Sequence, residues 1–305
     1  MFERKKLDWG EGETSFIEIF DSADKPGFQF AHATGFNALT YKELLEPLSD
    51  NFNVRAVDAR GHGFTKLKAN PQDMYDWKIY CDDLIKSVEL FVEKTQKPII
   101  LSGHSMGAAS AIQVAAIRPD LVSGLVLVDP VLMTSKIKVI FKIGRKYPLF
   151  KNFPIIKQGM MMSEATKKRR RDWKNKEEIF NSYKNKLIFK TWTETTIRNY
   201  IEGGTELVGD ETRLTCDPLW EAATFSSWKH DAMGLIDKLN CPITLLQAEF
   251  NSTGRGNGPI KLMQQDKLGV HKIIKGSTHF LPMEFPNIIK EEINNLQKRI
   301  NNEKK

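Results

Sequence analysis

Cysteine is scarce, with three in 305 residues. Cys81, Cys216 and Cys241 stand far apart and form no CxxC pair, which argues against a disulfide framework and against a zinc site and favours a reducing, cytoplasmic setting. Long apolar runs are missing too. Nothing approaches the roughly 18 apolar residues of a membrane span, and the opening MFERKKLDWGEGETSF has no apolar core of a secretory leader, so neither insertion nor secretion is expected. There is no internal repeat and no low-complexity tract. The one glycine-rich stretch, GRGNGP at 254–259, does not fit GxGxxG and reads as a loop. No cofactor and no metal are expected.

What is present is a chain with 41% hydrophobic and 27% charged residues, enough to build one large domain with an insertion, or two domains. The net charge of +7 invites a nucleic-acid reading, but residues 136–200 alone carry 18 Lys and Arg against 5 Asp and Glu. That local surplus exceeds the whole chain's, so the remainder is net acidic and the basic character belongs to one segment. Within it, KKRRRDWKNK at 167–176 reads as a solvated helix face, because Trp173 is the only aromatic available for stacking. The sharper alternative is that some of these arginines face a pocket and hold an acidic substrate. No nucleic-acid partner is expected.

Short β-rich runs alternate with longer helical patterns, as in βαβ units around a mainly parallel sheet. SFIEIF (15–20), GFQFAH (27–32), NVRAVD (53–58), PIILSG (98–103), GLVLVDP (124–130), PITLLQA (242–248) and HKIIKG (271–276) read as strands. Helices are expected around 40–50, over 77–94, after Ser105 up to Pro119, and at the end, where Ile289, Ile293, Leu296 and Ile300 recur at helical spacing. Between GLVLVDP and PITLLQA the alternation stops for well over a domain's normal loop length, which predicts an inserted helical subdomain over 131–225 within a core of 1–130 and 226–305. Its methionines and aromatics, among them Met160, Met161, Met162, Phe180, Tyr183, Phe189 and Trp192, suit an apolar lid, and core packing explains most of them equally well.

LSGHSMGAAS, 101–110, places a serine between two glycines at the junction of a strand and a helix. A strand that turns sharply into a helix crowds its own backbone, and Gly103 and Gly107 relieve that crowding while Ser105 is held at the carboxyl edge of the sheet. The helix starting at Met106 aims its free N–H groups at the same place, where an oxyanion is favoured. A serine needs a base. Of the six histidines, His271 lies on a strand, His104 faces away from the serine as the x of the motif, and His230 has no fixed position. His32 and His62 follow strands and orient backbone, whereas His279 falls between the last strand and the last helix, at the same sheet edge as Ser105.

The order of HATGF, DARGHG, GHSMG, LVLVDP and GSTHF resembles the α/β-hydrolase superfamily over nearly the whole chain outside the insertion. The resemblance implies an α/β-hydrolase fold, with a mainly parallel central sheet flanked by helices and an inserted helical cap. It further implies a nucleophile at Ser105, a base at His279 and an oxyanion hole from the N–H groups of Met106 and Thr34. The usual position of the triad acid aligns with Asn251, which carries no charge. Two carboxylates are available instead. Asp129 ends the strand after the elbow helix, a site that resembles haloalkane dehalogenases in this respect, and Glu249 stands two residues before Asn251. Asp129 is favoured because strand termini fix side chains better than loops, with Glu249 as the alternative.

The chain is therefore expected to be a serine esterase acting on an ester or related acyl bond of a small, largely hydrophobic substrate, as a monomer or homodimer. The alternatives are C–C bond hydrolysis, lactone opening or thioester hydrolysis on the same fold, and a non-catalytic ligand-binding member. Dehalogenase and epoxide hydrolase chemistry are disfavoured because both need a carboxylate where Ser105 stands.

Overall fold

The computed structural model describes residues 1–133, 139, 154–227 and 229–303. An eight-stranded sheet organises the chain, built from β1 (Glu3–Asp8), β2 (Glu13–Ile19), β3 (Gly27–Ala31), β4 (Asn53–Asp58), β5 (Ile99–His104), β6 (Val122–Val128), β10 (Ile243–Ala248) and β11 (Val270–Ile274). Its order is β1-β2-β4-β3-β5-β6-β10-β11. From β4 to β11 neighbouring strands run parallel; β2 joins β4, and β1 joins β2, antiparallel.

Alternate side chains along the central strands feed two cores, one on each face of the sheet. Leu101, Leu125, Leu127 and Leu245 belong to the core shared with helices α1 (Lys78–Thr95) and α2 (Met106–Ile117). Ile100, Val126, Val128 and Leu246 belong to the opposite core, which includes Ile289, Ile293, Leu296 and Ile300 of the C-terminal helix (Pro286–Glu303). Helix α2 is buried from Met106 to Ala115, and its alanines let it lie close against both the sheet and α1. The expected helix around 40–50 is broken into two 3-10 turns, Ala38–Tyr41 and Glu46–Asp50, around the short helix Lys42–Leu45. Pro47 has no N–H to continue a regular ladder.

Strand β1 has no counterpart in the sequence reading. Its residues ERKKLD show no apolar alternation, and charge holds it in place: Lys5 binds Glu18 at 2.8 Å, Lys6 binds Glu13 at 3.3 Å and Arg4 binds Asp58 at 2.5 Å. Glu18 also meets Arg55, buried with it and clamped between the rings of Phe16 and Phe91 at 4.4 Å from each. Burial opposes the Glu18 charge, but Lys5, Lys94 and Arg55 outweigh it and bring its carboxyl down to about 2.

The described part of the insertion contains helices α3 (Pro154–Lys167), α4 (Lys176–Tyr183), α5 (Glu194–Gly203) and α6 (Pro218–Ser226). It is not purely helical, since β7 (Asp172–Trp173), β9 (Glu211–Leu214) and β8 (Thr205–Val208) form a small antiparallel sheet in that order. Residues 134–138 and 140–153 of the expected cap lie outside the described residues. Phe180, Tyr183, Phe189 and Trp192 are buried in one aromatic cluster, while Met161 and Met162 face outward. The basic run is not one helix face either: α3 ends at Lys167 and the arginines occupy the irregular turn into β7. GRGNGP is loop only as far as Gly256, after which Asn257 opens helix α7 (Asn257–Gln265).

No helix among the described residues is long and apolar enough to cross a membrane.

Candidate active site

The chain enters β3 and β4 on one side of the sheet and then crosses to β5 and β6 on the other. The loops after β3 and β5 therefore diverge at the carboxyl edge and leave a crevice, the place where open α/β sheets accept ligands. Thr34 follows β3 and Ser105 follows β5.

Ser105 is the bend itself. Its φ of 55° and ψ of −112° lie where side-chain-bearing residues rarely sit, and its N–H is tied to Val128 O at 3.0 Å. The glycines on either side allow the bend. A Cβ on Gly103 would meet the Gly107 carbonyl carbon, and one on Gly107 would strike the Ala31 carbonyl at the end of β3. The backbone crowding expected from the sequence is thus steric contact between named atoms. Met106 is the first residue of α2, so its N–H has no intrahelical acceptor.

Three side chains from separate strand ends meet at this edge. His279 Nε2 lies 3.0 Å from Ser105 Oγ, and His279 Nδ1 lies 2.6 Å from Asp129 Oδ2. Asp129 is fully buried, with a positive φ of 42°. Three donors converge on its carboxylate besides the histidine: Ala248 N–H and Ser252 Oγ–H on Oδ1 at 3.0 and 2.6 Å, and Thr253 N–H on Oδ2 at 3.0 Å, while the Thr253 hydroxyl donates to the Asp129 backbone oxygen at 2.8 Å. Burial works against its ionisation, but His279, Ser252 and Ala248 outweigh burial and hold the carboxyl below the usual carboxylate range. An ionised Asp129 accepts, so His279 carries its proton on Nδ1 and offers Nε2 as acceptor to the Ser105 hydroxyl.

Glu249 is not brought to the histidine. Its Oε2 accepts from Gly276 N–H at 2.7 Å and ties two loops together. Asn251 lies in the stretch that wraps Asp129, with φ at 55°. The segment after β10 thus supplies hydrogen-bond donors to an acid that stands at the end of β6.

His32, His62 and His104 organise backbone. His32 Nε2 accepts from Ala59 N–H at 2.9 Å, and His62 Nε2 accepts from Gly35 N–H at 3.0 Å. Burial pushes His32 down to about 4 and His62 down to about 3, the latter helped by His32. His104, the x of the motif, does more than face away. Its Nε2–H donates to the backbone oxygen of His279 at 2.7 Å, while its Nδ1 accepts from Tyr41 Oη at 2.8 Å. Tyr41 in turn accepts from Ala33 N–H at 3.1 Å, so one chain of bonds links the Thr34 loop to the His279 loop. Burial, then the neighbouring His279, push His104 down to about 3, which keeps it neutral for this task. His230 stacks on Trp77 at 4.3 Å.

Thr34 is adjacent to Met106, with Oγ1 3.2 Å from the Met106 sulfur. Of the three arginines in the basic run, Arg170 pairs with Glu178 and Arg171 with Asp217. Arg169 points inward, bonded to Glu221 at 2.5 Å and to the hydroxyls of Tyr200 and Tyr183 at 2.5 and 3.3 Å.

Residues 28–224 match the family described as "Serine aminopeptidase, S33". Among curated proteins, the chain is 33% identical to 2-(acetamidomethylene)succinate hydrolase of Mesorhizobium japonicum over 113 residues, which is 37% of this chain and 38% of that protein. It is 27% identical to human monoglyceride lipase over 265 residues, or 85% of this chain and 76% of that one. Among solved structures, an E-2-(acetamidomethylene)succinate hydrolase superposes with a TM-score of 0.74 at 20% identity, covering 98% of this chain and all of that one. A thioesterase domain from the curacin biosynthetic pathway gives 0.74 at 15% identity, over 96% and 99%. With an eight-stranded, mostly parallel sheet and an insertion after its sixth strand, the chain belongs to the α/β-hydrolase superfamily, in the serine aminopeptidase S33 family.

Proposed function

We propose that the protein is a serine hydrolase that cleaves an ester or related acyl bond through Ser105, His279 and Asp129. The observation that carries this reading is the unbroken run of contacts from Ser105 Oγ to His279 Nε2 at 3.0 Å and from His279 Nδ1 to Asp129 Oδ2 at 2.6 Å.

A serine hydroxyl is a weak nucleophile until its proton has somewhere to go. Ser105 Oγ attacks the acyl carbon as His279 Nε2 takes the proton, and the imidazolium so formed is stabilised by Asp129, which stays ionised. Negative charge builds on the former carbonyl oxygen, and the N–H groups of Met106 and Thr34 receive it. His279 returns the proton to the leaving group, and the Ser105 acyl ester remains. Water, deprotonated by the same imidazole, then releases the acid and restores the hydroxyl.

Relatives named as succinate-derivative hydrolases, lipases and a thioesterase domain support hydrolysis of a carbonyl derivative and leave the acyl group open. The test is a screen of p-nitrophenyl esters, acyl thioesters and lactones with Ser105→Ala alongside. A substrate that the wild type turns over should lose about 10⁶-fold in kcat in the variant, the scale set by removing a triad serine.

A further inference from the structure

The Thr34 N–H is useful to an oxyanion only if its peptide plane is held, and the bonds around it show what holds it. The Ala33–Thr34 peptide carries that N–H on one side and the Ala33 carbonyl on the other. The Ala33 oxygen accepts from His32 Nδ1–H at 2.7 Å and from Phe36 N–H at 3.2 Å. Phe36 N–H belongs to the Gly35–Phe36 peptide, whose carbonyl, on Gly35, accepts from Tyr200 Oη at 3.2 Å. The intervening Thr34–Gly35 peptide is held through Gly35 N–H by His62 Nε2 at 3.0 Å. The Thr34 N–H itself donates to none of the described residues.

The far end of this relay is in the insertion. Tyr200 sits on α5, and its backbone oxygen accepts from Asn37 Nδ2 at 2.9 Å, so one residue grips the loop at two points. Its hydroxyl is aimed by Arg169, which lies 2.5 Å away and is paired with the buried Glu221. Burial pushes the Tyr200 hydroxyl up, so it stays a phenol able to donate. Gly35 has φ of +79°, and a Cβ there would run into the Glu221 side chain, so the ion pair is packed directly on the loop. Aligned bonds of this kind polarise one another as well as fix geometry.

We infer that Tyr200, aimed by the Arg169–Glu221 pair, is a positioning residue for the Thr34 N–H, acting through the Gly35–Phe36 peptide. The insertion therefore tunes the oxyanion site. This inference rests on the reading of Ser105 as nucleophile.

The test is the second-order rate of labelling by an alkyl fluorophosphonate, in which charge develops on a phosphoryl oxygen, followed across pH in wild type, Tyr200→Phe and Glu221→Gln. Tyr200→Phe keeps the ring against Phe36 at 5.6 Å and removes only the hydroxyl. Losing an oxyanion donor outright costs about 10²–10³-fold. A misaimed donor should cost about 10–100-fold, with Glu221→Gln lowering the rate in the same direction by less. The final label per chain and the midpoint of the pH profile should stay at their wild-type values, because His279 and Asp129 are untouched. Should Tyr200→Phe fail to fold, Glu221→Gln carries the same comparison. Wild-type rates in both variants, or a fall accompanied by a moved midpoint or a lost labelled fraction, would overturn the positioning role alone. An unlabelled wild type would overturn the nucleophile reading and this inference with it.

Discussion

Asp129 Oδ2 lies 2.6 Å from His279 Nδ1 across 150 residues of chain, whereas Glu249, one residue past β10, is turned to the Gly276 N–H. Both carboxylates stand one residue past a central strand, and the difference lies in what holds each one. Asp129 has its backbone N–H bonded to Leu246 O at 2.8 Å and its carboxylate gripped by Ala248, Ser252 and Thr253, so its side chain has one direction. Glu249 is drawn to the opposite loop by the Gly276 N–H.

Asp129→Asn should therefore lower kcat/KM by about 10⁴-fold, because an amide at that site can stabilise the wrong imidazole tautomer and cannot stabilise the imidazolium. Glu249→Gln should change it by less than about 3-fold, since the amide oxygen still accepts from Gly276 and no reacting group is touched. Steady-state kinetics on any ester the wild type cleaves checks both. Unchanged rates in both variants would point to a binding protein whose turnover is incidental.

Acid should unfold the protein earlier than its carboxylates alone demand. His32, His62 and His104 sit folded at about 4, 3 and 3 against an ordinary value near 6.5. Between those limits the unfolded chain binds more protons than the folded one, so stability falls as pH drops. The loss starts near pH 6.5, continues through the folded values, and is on the order of 2 kcal/mol for each histidine by about pH 5. Asp129 and Glu18, both held low, add to it only nearer their own lower range. Urea midpoints measured from pH 8 to pH 5 should hold level down to about pH 7 and then fall through pH 6.5 to pH 5; a flat profile would mean that these imidazoles are not buried neutral.

Gly107→Ala tests the bend. The added methyl meets the Ala31 carbonyl, part of the central sheet and unable to give way, so α2 must shift away from β3. A cost of about 1–3 kcal/mol is expected, the range of overpacked core sites. In the fraction that stays folded, labelling of Ser105 should slow, because its hydroxyl moves with the helix. Thermal unfolding and labelling rate read the two effects separately.

Much of this site was legible because its geometry is written in local sequence. The elbow needs small residues at Gly103 and Gly107, and strands around it announce themselves by apolar runs, so Ser105 could be placed at a sheet edge from one motif and its flanks. His279 followed from its position after the last strand. What could not be read depends on contacts between distant segments. β1 is held by ion pairs, which leave no periodic trace. The choice between Asp129 and Glu249 turns on the path of one loop, and the roles of His104 and Tyr41 on a bond relay joining three loops. Arg169 differs from Arg170 and Arg171 only in which way a short irregular turn points it. The small β7-β9-β8 sheet in the insertion is equally silent, with strands of two to four residues.

The most direct measurement of the central claim is labelling of the folded protein with a fluorophosphonate, followed by mass spectrometry of its peptides. The account predicts one adduct per chain on Ser105, lost in Ser105→Ala and strongly slowed in His279→Ala. A folded protein that takes no label, or takes it on another serine with Ser105 free, would contradict it.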